Sequence, residues 1–476
     1  MINLRQNKGF ALIFSLVFMA LAIPFMAVYF LAVTNGLTQA TRTANAKRAY
    51  YVAEAGLADA YERIVQAAGN FVIPVADQYY IPSPSNSTDT GVFTVGGSTG
   101  NYVVKIATIS SPRTSYQITS TGTFGNMSRT LQLDITWASI SKFAYWSQTE
   151  SNPAFGGPLW WVGEPGLEML TTGPVQTNGQ LNIFGNPIFN GAVTEGNLPI
   201  LGDGTLGKTP TSSTPNYYPN IYSDPKIIFP QGIINDAPPI TLPPQATISL
   251  LNSVASNGSG LVLTGPSTVI FNPTGTISVT NSAAKYNNKT MSAPANGVVF
   301  VQDSFKNGVD QMDGNATVQG TVSGQLTVGA AQNIFVSGSV SYNSDPRKNP
   351  TSNDLVALVA NQNITIIEAS APTQLEMAGV LMAMQGSFQV DQYSAYRGDQ
   401  ATAVMDQYGS LINYVCGATG EMDMSGTLLG GWNQIQTYDP RLATMSPPGF
   451  PPLLNAAGKI TYSKFSLQEC YSGVCG

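Results

Sequence analysis

The segment that most limits what this chain can fold into runs from Phe10 to Val33, 24 consecutive residues without a charge. As an α-helix it would be about 36 Å long, against a membrane hydrocarbon core of roughly 30 Å. A secretory signal has an apolar centre of only about 7–15 residues and ends in a small-x-small cleavage site. This run is longer, and no clean Ala-x-Ala follows it. A discarded signal, a plain uncleaved anchor and a helix with a further job remain as alternatives. Arg5 and Lys8 precede the run and place Met1 on the cytoplasmic side. Arg42, Lys47 and Arg48 beyond its far end argue weakly the other way, and Pro24 would kink the helix.

The helix is expected to continue past the apolar run. In "AKRAYYVAEAGLADAYERIVQAAGN" the residues Tyr50, Ala53, Leu57, Ala60, Tyr61, Ile64 and Ala68 recur at three- and four-residue steps. That is one stripe of an amphipathic helix, and Gly69-Asn70 suits its C-cap. A rod of nearly 60 residues, apolar first and amphipathic afterwards, needs partners along its second half.

The stretch "NKGFALIFSLVFMALAIPF…KRAYYVAEAGLADA" resembles the N-terminus of type IV pilin-like proteins, particularly PilX-type minor pilins. The resemblance covers about the first 60 residues. It implies a leader cut by a prepilin peptidase after a glycine, with N-methylation of the new terminus. Gly9 would then be the last leader residue and Phe10 the first mature one. "AEAGL", Ala53 to Leu57, is similar to a motif at the end of that family's helix. One departure matters: major pilins carry a glutamate five residues into the mature chain, where this sequence has Phe14. An intramembrane carboxylate is costly and therefore usually functional. Its absence argues against a repeating subunit, and large tip-type pseudopilins also lack it.

From Phe71 to Trp137 the period changes from 3.6 to 2. "NYVVKIATI", "TSYQITSTG" and "SRTLQLDITW" alternate between turn residues, which predicts a small antiparallel sheet packed on the long helix. "YQITSTGTFGNMSRTLQLDI" resembles the same segment of PilX-type proteins. After Ser141 short alternations recur with glycine at the turns, as in "ATVQGTVSGQLTV", "IFVSGSVSY" and "LEMAGVLMAMQGSFQV". Strand-length units without helices between them suit an all-β body. We read a parallel β-helix, with a β-sandwich as the alternative. The proline-rich stretch between Leu198 and Pro244 reads as a surface excursion. "GQLTVGAAQNIFVSGSVSYNSDP" and "YDPRLATMSPPGFPP" resemble an uncharacterised bacterial domain that follows pilin-like N-termini. Its most specific mark is Tyr438 to Leu442.

The expected fold is mainly β with one long N-terminal α-helix, a pilin-like α+β head and a large β-solenoid. The expected divisions are a leader at 1–9, a helix at 10–69 with a transmembrane part at 10–33, a head at 70–140, a β-helix-like domain at 141–445 and a C-terminal tail at 446–476.

The chemistry is bounded by what is scarce. Charged residues are 10% of the chain, against about 25% in typical globular proteins. The net charge is −6 with no basic stripe, which gives nucleic acid no electrostatic footprint. The 476 residues include no histidine, so the commonest general base and metal ligand is missing. From Thr171 to Phe300 the only acids are Glu195, Asp203, Asp224 and Asp236. Paired carboxylates for glycoside hydrolysis are therefore not evident, and neither enzyme activity nor a cofactor is expected. In "DSFKNGVDQMDGN", Asp303, Asp310, Asp313 and Asn315 could hold Ca²⁺ or simply shape a polar turn. Phe143, Tyr145, Trp146, Trp160 and Trp161 form either a stacking surface or core. Arg441 could pair with Asp439 or cap a loop. Cys470 and Cys475 are expected to close a small disulfide loop, or else to remain thiols in a frayed tail, with Cys416 left over.

The expected function is a minor pilin or pseudopilin subunit of a type IV pilus or type II secretion-like filament. It would be held first in the bacterial inner membrane, then displayed at the cell surface. The expected partners are other pilin-like subunits, the prepilin peptidase and the membrane, with a surface or polysaccharide ligand in addition. The alternative is a membrane-anchored β-helix that binds or degrades surface polysaccharide.

Overall fold

The computed structural model describes residues 8–67, 88–95, 97–108, 115–164, 167–168, 170–185, 187–196, 200–201, 228–234, 237, 239–240, 244–256, 258–395, 402–422, 428–453 and 461–470. The chain is mainly β with one long N-terminal helix. It divides into two units, one of 1–67, 80–135 and 464–476, the other of 68–79 and 136–463.

In the first unit, α1 spans Lys8–Ala67 with Pro24 inside it. Leu12 to Val33 is almost wholly apolar and exposed, and the helix is long and apolar enough to cross a membrane. The second half buries one stripe: Ala46, Ala49, Val52, Ala53, Leu57, Ala60 and Ile64. Tyr50 and Tyr61, expected in that stripe, lie at its half-buried flanks, and Ala68 falls outside the described residues. The stripe packs on an antiparallel sheet of β1 (Thr88–Val95), β2 (Ser98–Thr108), β3 (Ser115–Phe124) and β4 (Met127–Trp137). Contact is backbone to backbone at Gly122, where a Cβ would overlap the Ala49 carbonyl and the Ala53 amide. Gly56 of "AEAGL" answers it from the helix, facing Ser120 and the Tyr102 ring.

The expected tail is revised. Tyr462–Cys470 is a fifth strand, next to β4 in the same sheet. Its apolar residues, Tyr462, Phe465, Leu467 and Cys470, follow no regular period of two and do not announce a strand in the sequence. The second unit is therefore inserted in the chain between two neighbouring strands of the first.

The second unit is built mainly of parallel strands, with antiparallel pairing where Ser267–Phe271, Thr276–Asn281 and Tyr286–Ser292 follow one another. One column of residues runs Leu261, Val299, Val328, Leu358, Leu381, Leu411, Tyr145, Val175, Val193, Ile233, each paired in register with the next. A second column runs Val269, Val318, Val336, Ile366, Val390. All fifteen are apolar, and all but Leu261 and Ile233, at the two ends of the first column, are buried. Purely parallel pairing buries strands on both sides, which is why "LVALVA" at 355–360 is apolar at every position.

Spatial order departs from chain order. The chain starts mid-column at β5 (Tyr145–Thr149), climbs to Ile233, then resumes at the opposite end with Leu261 and climbs back to Leu411. The link between the ends covers nine strand spacings, about 43 Å at 4.8 Å each, and includes α2 (Pro244–Ser256), which packs on the strand Val298–Gln302. Most of the proline-rich stretch expected as a surface excursion lies outside the described residues.

Asparagines hold the corners between columns. Asn315 Oδ1 accepts from Asn333 N at 3.0 Å, Asn333 Oδ1 from Asn363 N at 3.1 Å, and Asn363 Oδ1 from Ser387 N at 2.9 Å. Each such bond contributes about 0.5–1.5 kcal/mol net. Asn333 and Asn363 occupy the repeated phrases "AAQNI" and "ANQNI", and Ser387 stands at the matching place in "MQGSF".

Replacing Gly122 with Ala forces the helix off the sheet, an overpacking cost of about 1–3 kcal/mol. Urea denaturation of the detergent-solubilised chain should show that loss.

Candidate functional site

Each polar group singled out in the sequence has a definite place. Asp439 is buried, and its side chain accepts the Arg441 amide at 3.0 Å, capping the short turn Pro440–Ala443. The Arg441 guanidinium grips the same carboxylate, with Nη2 2.6 Å from Oδ2. It also donates to the carbonyls of Ser352 at 2.7 Å and Asp354 at 3.0 Å. Burial opposes the guanidinium charge, but the Asp439 hydrogen bonds outweigh it and hold Arg441 protonated. Tyr-Asp-Pro-Arg-Leu is thus a clamp on the loop before Leu355, both pairing with Asp439 and fastening a loop. Beyond it, Thr327 Oγ1 donates to the Pro448 carbonyl at 2.7 Å, and Leu442, Phe450 and Leu453 are buried.

A second arginine works at the surface. Glu376 and Asp406 are register partners on adjacent parallel strands, a like-charge pair. Arg347 lies between them, 3.0 Å from Glu376 and 2.6 Å from Asp406, also pairs with Asp345 at 3.0 Å, and lies over the Tyr408 ring.

The aromatic group is core, not a stacking surface. Strand alternation sends Tyr145 into one apolar cluster and Trp146 into another. Tyr145 meets Trp161 edge-on at 4.9 Å, and Trp161 meets Phe189 at 5.1 Å. Phe143 packs against the Trp146 cluster, and Trp160 is half-buried. Beneath them lies a group that the sequence did not announce. Glu150 is 2% exposed and accepts from Tyr145 OH at 3.0 Å, Trp161 Nε1 at 3.2 Å and the Ser147 hydroxyl. Burial raises its carboxyl above the ordinary range, against the pull of these donors. Cys416 is a free thiol beside it, and burial likewise pushes that thiol well up. A thiol kept protonated is a poor nucleophile. Cys470 closes the last strand; Cys475 lies outside the described residues.

The acidic segment 303–315 is a hairpin on the body. Asp313 accepts the Ser304 amide and hydroxyl, each at 2.7 Å, and these bonds lower its pKa. Asp303 accepts Gly314 N at 2.7 Å and Gln332 Nε2 at 2.9 Å, and Asp310 accepts Met312 N at 2.9 Å. Asn315 serves the corner ladder. These oxygens shape the loop, and among the described residues no group of three acidic, cysteine or histidine side chains is placed to hold a metal.

What the hairpin presents is apolar. Phe305, Val309 and Met312 are 71%, 62% and 66% exposed. Asn307 and Gly308 turn it with φ of 53° and 77°, and Met312 stands at 48°. Four non-glycine residues have positive φ among the described residues: Lys285, Asn288, Asn307 and Met312, all between 285 and 312. A long side chain such as Met in the left-handed region is strained, and here the Asp310 and Asp313 bonds enforce it. The signal for it is "FKNGVD", since Asn-Gly is the strongest short hairpin cue. This apolar tip is the body's candidate contact site.

No family model and no curated protein matches the chain. Among solved structures it is similar to the competence-associated pilin ComZ from Thermus thermophilus, at 13% identity and a TM-score of 0.28, over 90% of this chain and 98% of that one.

Two outcomes follow from the geometry. Arg441→Met strands a buried carboxylate and should cost about 3–5 kcal/mol. Removing Arg129, whose half-exposed pair with Glu469 spans 3.5 Å, should cost under about 1 kcal/mol. Chemical denaturation separates the two. Asp313 has a depressed folded pKa, so its contribution is present above the unfolded value of 3.8 and is lost as pH falls through the folded one. Limited proteolysis should cut near Asn307 sooner below pH 3.8 than at neutral pH, and Asp313→Asn should abolish that difference.

Proposed function

We propose that this chain is a minor pilin or pseudopilin-like subunit of a type IV pilus or type II secretion-like filament. The observation that carries the reading is α1: one continuous helix, exposed and almost wholly apolar from Leu12 to Val33, then docked on a small antiparallel sheet by its second half. A water-soluble protein does not leave such a surface bare, and a simple anchor has no reason to continue the same rod into a folded head. The first half lies in the bacterial inner membrane before assembly and among neighbouring helices afterwards. The prepilin peptidase cuts between Gly9 and Phe10, and the mature chain of 467 residues (476 − 9) is methylated at Phe10.

The body is read as a β-helix, in keeping with its two in-register parallel columns. It binds no cofactor and catalyses nothing; the polar groups described above are engaged in holding loops and corners. It meets a surface or partner through the Phe305–Met312 hairpin. The polysaccharide reading would call for a groove with convergent carboxylates or stacked aromatics; burial of Tyr145, Trp146 and Trp161 takes those three away from any such groove. Cys470 and Cys475 are read as a disulfide that pins the chain's end. Phe14 in place of the usual glutamate and a body of more than 300 residues support a subunit present in few copies, at or near the tip.

Mass spectrometry of the mature protein should find methyl-Phe10 at the N-terminus. A chain that begins at Met1, or is cut near Ala40, refutes the reading. Gold-labelled antibody should mark ends or sparse points on sheared filaments, and dense labelling along their length would refute the tip position.

A further inference from the structure

The hairpin of the body is apolar on both of its faces. Phe305 is the register partner of Asp310, and Lys306 of Val309. Register partners share a face and successive residues alternate, so Phe305 and Val309 project on opposite sides, with Met312 exposed just beyond them. The backbone between them is closed on itself. Gln311 N donates to the Ser304 carbonyl at 2.9 Å and Gln311 Nε2 to the Val309 carbonyl at 2.8 Å. Asp310, Asp313 and Asp303 accept the amides of Met312, Ser304 and Gly314. Lysines flank the tip. Lys306 is on it, and Lys285 and Lys289 are exposed on a neighbouring turn and strand. Asn281, where that turn begins, donates to the Thr264 carbonyl at 2.9 Å and to Ser267 Oγ at 2.8 Å. A Cβ on Gly265 would stand 3.6 Å from Asp313 Oδ2. The two loops therefore share one corner of the body.

We propose that this hairpin enters the surface of a lipid bilayer with anionic headgroups. The proposal rests on the reading of the hairpin as the body's contact site and names what it contacts. A flat protein partner would need apolar groups on one face only. Phe305 and Val309 on opposite faces ask for a medium that surrounds the tip. Lipid is such a medium, and it admits only backbone whose polar groups are paired from within. The three aspartates supply that pairing for the amides of 304, 312 and 314. The charge balance suits anionic headgroups. Lys285, Lys289 and Lys306 outnumber Asp310, the one exposed acid of the tip. They meet lipid phosphate while Phe305, Val309 and Met312 sink past it. Tyr286 is half-buried beneath Lys289, whose Nζ lies 4.5 Å from its ring centre. A tyrosine at that level is an ordinary occupant of a membrane interface.

Liposome capture tests this. The full chain is held by α1 in nanodiscs of phosphatidylcholine and mixed with fluorescent liposomes of phosphatidylcholine, with or without phosphatidylglycerol. The anionic liposomes should be captured in preference. Phe305→Ser, Val309→Ser and Met312→Ser should each lower the apparent affinity about tenfold. All three side chains are exposed, so the fold does not depend on them, and Phe305→Trp should keep the capture. Lys285→Gln, Lys289→Gln and Lys306→Gln should each cost about fivefold on anionic liposomes and nothing on neutral ones. No capture, or equal capture by the serine variants, overturns the proposal. The contact reading is judged separately by a benzophenone attached at Val309→Cys and irradiated on cells that make the full chain, with the unsubstituted chain as the control for Cys416. Lipid adducts support the proposal. Protein adducts without lipid adducts overturn it and leave the contact reading standing. Adducts of neither kind overturn the contact reading as well.

Discussion

The backbone pairing of Leu411 with Tyr145 is the contact on which the large β unit depends. The two residues are 266 positions apart (411 − 145), yet they are adjacent members of one ten-strand column. Without this joint the column would be two stacks, one from Leu261 to Leu411 and one from Tyr145 to Ile233. The joint is therefore reinforced by side chains. Ser410 Oγ donates to the Phe143 carbonyl at 2.6 Å, Gln436 Nε2 to the Ala144 carbonyl at 2.7 Å, and Asn152 Nδ2 to the Cys416 carbonyl at 2.8 Å. Glu150 lies just inside it, with three donors that make burial of a carboxyl tolerable. Pairing over such a separation is slow to find, because loop closure precedes the contacts that reward it.

Joining the stack in its middle also fixes where the chain comes and goes. Ala138 N donates to the Thr461 carbonyl at 2.8 Å and Leu453 N to the Ala138 carbonyl at 2.6 Å, so arriving and departing segments run side by side. An insertion whose two ends are adjacent is tolerated between neighbouring strands, since neither β4 nor the strand Tyr462–Cys470 must move to admit it.

The scarcity of charge acquires a physical meaning here. With 10% charged residues, ion pairs are few among the described residues, and the best of them hold loops against the strand stack. Asp439–Arg441 fastens a buried loop, and Arg347 reconciles two carboxylates that parallel register forces together. Corners depend instead on asparagine side chains, neutral groups that pair with backbone at little desolvation cost.

Local features were legible in the sequence because local physics decides them. The length and apolarity of Phe10 to Val33, the stripe from Ala53 to Ile64, the alternation in β2 to β4 and the pairing of Asp439 with Arg441 all follow from residues close in the chain. Even the hairpin at Asn307-Gly308 was there to be read. Long-range pairing was not legible. Nothing near Tyr145 says that its neighbour is Leu411, and nothing near Tyr462 says that the last strand returns to the first sheet. Parallel strands of Val, Ile and Leu are interchangeable as sequence. Which of them lie side by side is decided by the burial and backbone bonding of the whole stack, and only the tertiary structure shows it.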